Sequence, residues 1–523
     1  MRDRFSYLPI ALILVFAAST QVGCGTNAGT GPGSSGNQGA AAGNASGSHS
    51  GAGGSNAGTS GSAGATGSSG ASGASDAAGS SGSSAASGSS GTSGASGAAG
   101  SSGASGAAGS SGSSGASGGS SGAADAGAGD GGALDSGLPD GSLPLVYTTE
   151  NTGADCTVAT TFPAFNALPS VSNLPDPFLL ASGTRMTSRD QWRCRRAEIA
   201  SQIQYWGSGP KGAPPTTEKA TFSGGTLTVV VTQGSASITL TSAITPPSGT
   251  GPFPVVIGMN TPTGSLPSNL FAGVATMTFD SSVFASNPID VTRGAGTYFT
   301  MYPDTNAGAM IEWAWGVSRL IDGLYMTAST NNVDLSHIGV TGCSFQGKMA
   351  LYAGAFDERI ALVIPEESGG GGEAAWRFSS TLTGAEDLDH AQGTAWYAAN
   401  LLQFTNADAP KLPYDQHELV AMVAPRAILA VENTAIAYLA PEAEEVGMRA
   451  AMEVYKGLGI PDRIGFTQTA ATAHCAFPSS QAPDVQAFVD KFLLGKTANT
   501  SIAKTSYTTN LATWVTWSTP TLN

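Results

Sequence analysis

A serine flanked by small residues, one late histidine and a few carboxylates are the groups of this chain best suited to covalent chemistry. Gly342-Cys343-Ser344-Phe345-Gln346-Gly347-Lys348 sets a serine between an apolar run and a helical pattern. A strand–turn–helix junction of that kind lifts a hydroxyl above a sheet, as in a nucleophile elbow. The second glycine stands one residue later than in Gly-x-Ser-x-Gly. The backbone N–H of Phe345, at the helix start, is placed to stabilise an oxyanion. A serine nucleophile needs a general base, and there are five histidines. His49 lies in a Gly/Ser/Ala tract, His337 opens a strand pattern, His390 sits in a polar stretch, and His417 is at a helix start beside Asp415. His474 alone follows the last core strand pattern, in Thr472-Ala473-His474-Cys475-Ala476-Phe477-Pro478. That satisfies the chain order Ser, acid, His. Glu366 and Glu367 follow one strand and Glu432 the next. Any of these could hold the imidazole tautomer, and spacing does not choose among them.

The cysteines bear on the same pair. Cys343 directly precedes Ser344, and Cys475 directly follows His474. If hydroxyl and imidazole come within reach of each other, a Cys343–Cys475 disulfide becomes feasible, leaving Cys156 to pair with Cys194. Such pairing belongs in an oxidising compartment. No metal-ligand spacing such as His-Glu-x-x-His occurs, so neither a metal nor another cofactor is expected.

Positioning these groups requires a sheet. Val/Ile-rich runs alternate with helical patterns through the second half, which predicts an α/β-hydrolase fold with a mainly parallel sheet between helices. Strands are expected at Pro254–Gly258, His337–Thr341, Arg359–Pro365, Arg426–Val431 and Asp462–Phe466. Helices are expected over Met310–Tyr325, from about Phe345, over Pro441–Gly457, and from about Pro483 to a stop at Gly495. Ala220 to Ile244 alternates with period two and reads as an antiparallel sheet edge.

Composition limits the folded part. From about Gly25 to about Gly132 the chain is almost entirely Gly, Ser and Ala. Such a tract cannot bury enough apolar surface to offset the entropy of ordering it, so residues 24–145 read as a flexible linker and 146–523 as one domain. Arg2 and Arg4 precede an apolar run from Leu8 to Ala18, too short to span a bilayer, so residues 1–23 read as a secretory signal. Cys24 directly after Val22-Gly23 suggests a bacterial lipoprotein, tethered to a membrane through that lipid and exported to the cell surface, or else secreted. The net charge of −15 comes with no basic cluster, which argues against a nucleic-acid partner.

Several motifs together resemble the glucuronoyl esterases of carbohydrate esterase family 15. They are Gly342-Cys343-Ser344-x-x-Gly347-Lys348, Ala353-Gly354-Ala355-Phe356-Asp357, Ile364-Pro365-Glu366-Glu367-Ser368-Gly369, Ala375-Trp376-Arg377 and His474-Cys475-Ala476-Phe477-Pro478. Trp192 to Ile199, Trp313 to Arg319 and Leu412 to His417 extend the likeness, which spans about 155 to 497. The resemblance implies hydrolysis of the ester between 4-O-methyl-glucuronic acid on xylan and a lignin alcohol, by a monomer. It implies Glu367 as the acid, because the family's Glu-Ser-Gly motif falls there. It implies Lys348 on sugar hydroxyls and Tyr438 where many members present a Trp. Glu386 and Trp396 fall in the segment where the family places further sugar ligands. One departure is plain: the family usually has Arg after the nucleophile, and here Phe345 stands. Two other readings of the same residues are a different xylan esterase, such as an acetyl esterase, and a weakened carbohydrate-binding protein.

Overall fold

The computed structural model describes residues 145–284, 293–303 and 305–523. The signal segment, Cys24, His49 and the linker up to residue 144 lie outside them. Seven strands form one parallel sheet: β4 (Phe253–Met259), β5 (Ala275–Phe279), β6 (Val333–Cys343), β7 (Leu362–Glu366), β8 (Ala427–Asn433), β9 (Ile464–Thr469) and the short β10 (Ala503–Lys504). Their order is β10-β9-β8-β7-β6-β4-β5, every pairing parallel. Among the described residues the α-helices of six residues or more are α1 (Gln191–Ile203), α2 (Ala309–Met326), α3 (Phe345–Phe356), α4 (Gln416–Ala421), α5 (Pro441–Gly457) and α6 (Ala482–Phe492).

Period-two alternation along the strands sends successive side chains into two cores. Val255, Ile257, Val340, Val363 and Ile428 pack with Trp313, Ile321 and Leu351 of α2 and α3. Val256, Leu362, Ile364 and Leu429 pack with Val485, Phe488 and Phe492 of α6 on the other face. A sheet buried on both faces explains why its strands read as continuous apolar runs. The arrangement is an α/β-hydrolase fold. Among the described residues no helix is long and apolar enough to cross a membrane.

Three differences from the sequence expectation have physical causes. The alternating stretch is not an edge of the main sheet. It forms its own antiparallel sheet of β1 (Thr217–Ser223), β2 (Thr226–Gln233) and β3 (Ala236–Ala243). A bridge between Thr245 and Thr276, and a hydrogen bond from Thr278 N to the Ser242 hydroxyl at 3.0 Å, tie it to β5. The strands expected from Arg359 and Asp462 begin later, at Leu362 and Ile464, because Arg359 is drawn into ion pairs with Asp357 (2.7 Å) and Asp322 (2.5 Å), and Asp462 lies within a short turn (Pro461–Arg463) and pairs with Lys491 (2.6 Å). Helix α1 has no apolar stripe to announce it, since it buries Arg195 against Glu418 (3.0 Å) and Arg196 against Glu358 (3.2 Å).

Candidate active site

Strands β6, β7, β8 and β9 all end at one edge of the sheet, and the chemistry-bearing side chains gather there, at the carboxyl ends where parallel sheets build sites. Ser344 lies between the end of β6 and the start of α3, with φ 66° and ψ −129°. Its N–H donates to the Glu366 carbonyl at 2.9 Å, which holds the turn against β7. Glycine is required twice here: a Cβ on Gly342 would meet the Gln346 carbonyl oxygen at 2.5 Å, and one on Gly347 the Glu366 carbonyl oxygen at 2.5 Å. The helix begins at Phe345, so its first N–H groups have no intrahelical acceptor and face the turn.

Glu367, just past β7, has φ 45°, and Cys475 has φ 59°. Among the described residues six non-glycine positions have positive φ, and three of them are Ser344, Glu367 and Cys475. Backbone strain of this kind persists where surrounding structure over-determines it, and it concentrates at functional sites. Here the strain aims donors and acceptors at one carboxylate. Glu367 Oε2 lies 2.7 Å from His474 Nδ1 and accepts the Cys475 N–H at 3.0 Å. Asn433, at the end of β8, extends its Nδ2 to the same oxygen at 3.5 Å and donates to the Ala473 carbonyl at 3.0 Å. Its Oδ1 accepts from Ala471 N at 2.9 Å. Sequence reasoning passed over Asn433; its position directly after Glu432 was the only available signal. A disulfide joins Cys343 to Cys475 (Cα–Cα 5.9 Å), so the residues beside Ser344 and His474 are covalently tied. Cys156 is bonded to Cys194.

The three candidate acids occupy different surroundings. Glu366 turns away from His474. It accepts from the Thr341 hydroxyl at 2.9 Å and from Ser265 N at 3.2 Å, tying the loop after β4 to the elbow. Burial pushes its carboxyl up to about 7, against those hydrogen bonds. Glu432 is fully buried beside Glu444 of α5 and Glu373. Burial first, and then the charges of Glu444 and Glu373, push its carboxyl well above the ordinary range. Glu367 is the one paired with the imidazole.

Beside the elbow is a wall of mixed character. Phe345 is half-buried, its ring nearly parallel to Trp396 at 6.1 Å and 6.3 Å from Trp313. Lys348, one turn along α3, is buried. Its ammonium pairs with Glu386 at 2.9 Å and lies 5.4 Å from the centre of the Trp396 ring. Glu386 N donates to the Tyr438 carbonyl at 2.6 Å, and the exposed Tyr438 hydroxyl meets His390 Nε2 at 2.5 Å. Lys348, Glu386, Trp396 and Tyr438 are thus contiguous. His390, read from sequence as part of a polar stretch, is brought to Tyr438 by the fold. Among the described residues no group of His, Cys, Asp and Glu could hold a metal ion.

Comparison with known proteins agrees with this geometry. The model of the family described as "Glucuronyl esterase, fungi" matches residues 229–459. The 4-O-methyl-glucuronoyl methylesterase of Cerrena unicolor is 42% identical over 389 residues, covering 71% of this chain and 80% of that protein. The solved catalytic domain of the Hypocrea jecorina glucuronoyl esterase superposes with a TM-score of 0.65 at 40% identity, covering 69% of this chain and 100% of that one. The Sporotrichum thermophile glucuronoyl esterase, solved in complex with methyl 4-O-methyl-β-D-glucopyranuronate, superposes with a TM-score of 0.66 at 37% identity over 70% of this chain and 100% of its own. Likeness at that identity over nearly the whole length of the relatives leaves little freedom in the assignment: this chain is a carboxylic ester hydrolase and belongs to the glucuronoyl esterase family.

Proposed function

We propose that the chain hydrolyses the ester joining (4-O-methyl-)glucuronic acid of glucuronoxylan to lignin alcohols, with Ser344 as nucleophile, His474 as general base and Glu367 as the acid that orients it. The observation that carries this reading is the 2.7 Å contact of Glu367 with His474 Nδ1, in a loop stapled by Cys343–Cys475 to the residue before Ser344. Ser344 Oγ attacks the uronoyl carbonyl while His474 Nε2 takes its proton. The alcohol leaves with that proton, and water then cleaves the acyl-enzyme by the same route in reverse. Glu367 fixes the tautomer and stabilises the imidazolium. The developing oxyanion faces the N–H of Phe345 at the start of α3. Glu432 is less suited to the acid's role, because burial and the charges of Glu444 and Glu373 raise its carboxyl well above the ordinary range and disfavour the ionised form an orienting acid needs.

Lys348, Glu386, Trp396 and Tyr438 form the sugar-binding wall in this reading. A buried ammonium and carboxylate offer paired donors and acceptors to hydroxyls, and Trp396 offers a ring face. No cofactor takes part. Residues 1–23 act as an export signal, Cys24 carries the lipid of a surface lipoprotein, and residues 24–145 are the tether that lets a monomeric domain reach an insoluble polymer. Mass spectrometry of the chain recovered from a bacterial membrane fraction tests the anchor: a mature N-terminus elsewhere than a lipidated Cys24 removes it.

The direct test is turnover of benzyl glucuronate and methyl glucuronate by the full chain beside its Ser344→Ala variant. Turnover by the parent and its loss in the variant is the expected result. No turnover by a folded, disulfide-bonded parent would end the glucuronate reading.

A further inference from the structure

The C-terminal segment of the chain packs over the far end of α5 and lines with it an open cavity of about 610 Å³. Its walls include Arg189, Glu453, Lys456, Leu511, Val515 and Trp517. Helix α5 starts beside the candidate active site, where Glu444 accepts from Gly369 N at 3.1 Å. Glu453 and Lys456 lie on its last turns, and a helix of 17 residues is roughly 25 Å long. A molecule in this cavity therefore does not touch the reacting atoms.

The charges of the cavity do not cancel. Lys456 pairs with Glu453 at 3.1 Å, and Glu453 also accepts from the Thr519 hydroxyl. Arg189 is left over. Its backbone is fixed at both ends: its N–H donates to Asn523 O at 3.1 Å, and its carbonyl accepts from Trp192 N at 2.9 Å. Its guanidinium makes no hydrogen bond or ion pair with the described residues, and its buried Nε has no partner. A Cβ on Gly459, which has φ +76°, would stand 2.9 Å from the guanidinium. The buried Nε–H is left without an acceptor, the rest of the half-buried guanidinium opens to the cavity, and the planar fork of an arginine matches a carboxylate. Trp517 supplies a rigid aromatic wall, its indole Nε1 donating to the Leu174 carbonyl at 3.1 Å and its ring set edge-on to Phe178 at 5.8 Å. The cavity volume falls within the range of small-molecule sites.

We propose that this cavity is a second carbohydrate site, which binds a uronic-acid-bearing oligosaccharide in its free carboxylate form, with Arg189 on the carboxylate and Trp517 against the sugar. The choice of a uronate among carboxylates rests on the proposed hydrolysis, whose acid product is such a group. An ester carries no charge for Arg189 to meet, so the site separates de-esterified from esterified chains. It holds the enzyme on polymer it has already begun to process.

The test uses the full chain labelled with fluorotryptophan, which gives eight signals from its eight tryptophans. Trp517→Phe and Trp396→Phe variants identify the signals of the cavity and of the active-site wall. A xylotriose carrying one free glucuronic acid is titrated in beside neutral xylotetraose. The acid is expected to shift the Trp517 signal saturably and the neutral sugar to leave it in place. Arg189→Gln should weaken that response at least tenfold, while benzyl glucuronate turnover stays within twofold of the parent. Arg189→Lys, which keeps the charge without the fork, should fall between the two and serves if Arg189→Gln folds poorly. A Trp517 signal that ignores the acid, follows the neutral sugar equally, or responds undiminished in both Arg189 variants would overturn the proposal. Turnover of the ester with a silent Trp517 defeats this site alone. Lost turnover in the parent with a responsive Trp517 defeats the proposed hydrolysis alone.

Discussion

Glu366, Glu367 and Glu432 differ in what each carboxyl faces rather than in residue type. Glu366 is the last residue of β7 and turns to Ser265 and Thr341, while Glu367 follows the strand with φ 45°, which redirects its side chain to His474. An acid that orients a catalytic imidazole must be ionised, and removing one costs about 10⁴ in kcat in a serine triad. Glu367→Ala should thus lower kcat for a glucuronate ester by about a thousandfold or more, with KM little changed. Glu432→Ala should cost much less. Steady-state kinetics of both variants decide between them, and a larger loss in Glu432→Ala would move the acid to β8. Phe345 matters at this scale as well. Its ring lies nearly parallel to that of Trp396 at 6.1 Å, so in the proposed mechanism the side chain at 345 brings no positive charge to the oxyanion, and the backbone N–H of Phe345 is the donor proposed there.

The elements of the site are three loops held in register by one covalent bond and one asparagine. The Cys343–Cys475 disulfide spans 132 residues, joining the elbow after β6 to the loop after β9. Closing a loop of that size in the unfolded chain is worth on the order of 2–5 kcal/mol. A Cys343→Ala/Cys475→Ala double variant should lose stability of that order in denaturant melts. It should also lose kcat beyond what reduced folding explains, because the loop of His474 would then be held by hydrogen bonds, chiefly those of Glu367 and of Asn433 with Ala471 and Ala473, without a covalent tie to the elbow. Full activity in a folded double variant would make the bond purely structural. The Cys156–Cys194 bond closes a shorter loop of 38 residues far along the chain from Ser344, and its removal should lower stability without that extra loss.

At the scale of the whole domain, Glu373, Glu432 and Glu444 place three buried carboxyls behind the acid loop. Burial is the largest cause in each case, and it pushes Glu373 and Glu444 up to about 8 from an ordinary 4.5. Mutual repulsion adds to the rise in Glu432. Between those values the folded chain binds more protons than the unfolded chain. Each group's contribution to stability is therefore complete below about pH 4.5 and is lost as pH rises toward 8. The unfolding temperature should fall across this range. Glu432→Gln, which keeps the shape and needs no proton, should make the fall shallower and raise the unfolding temperature at pH 8 by roughly 1–3 °C. Calorimetric scans at pH 5 and pH 8 check this, and an unchanged slope in the variant would discard the account.

Local chemistry was legible without the fold. The elbow shows in the sequence because Gly342, Ser344 and Gly347 are demanded by backbone contacts within a few residues and to the next strand. The buried strands show because a sheet covered on both faces leaves continuous apolar runs. His474 shows through its place after the last core strand, and the cysteines beside Ser344 and His474 show by adjacency. What the tertiary structure decided depends on partners distant in the chain. Helix α1 has no apolar stripe because its inward face carries arginines matched by Glu358 and Glu418, far along the sequence. Strand β5 is a five-residue edge, too short for its alternation to speak. The direction of each glutamate, the grip of Asn433 on the histidine loop and the contact of His390 with Tyr438 are set by side-chain geometry between elements, which spacing along a chain does not encode.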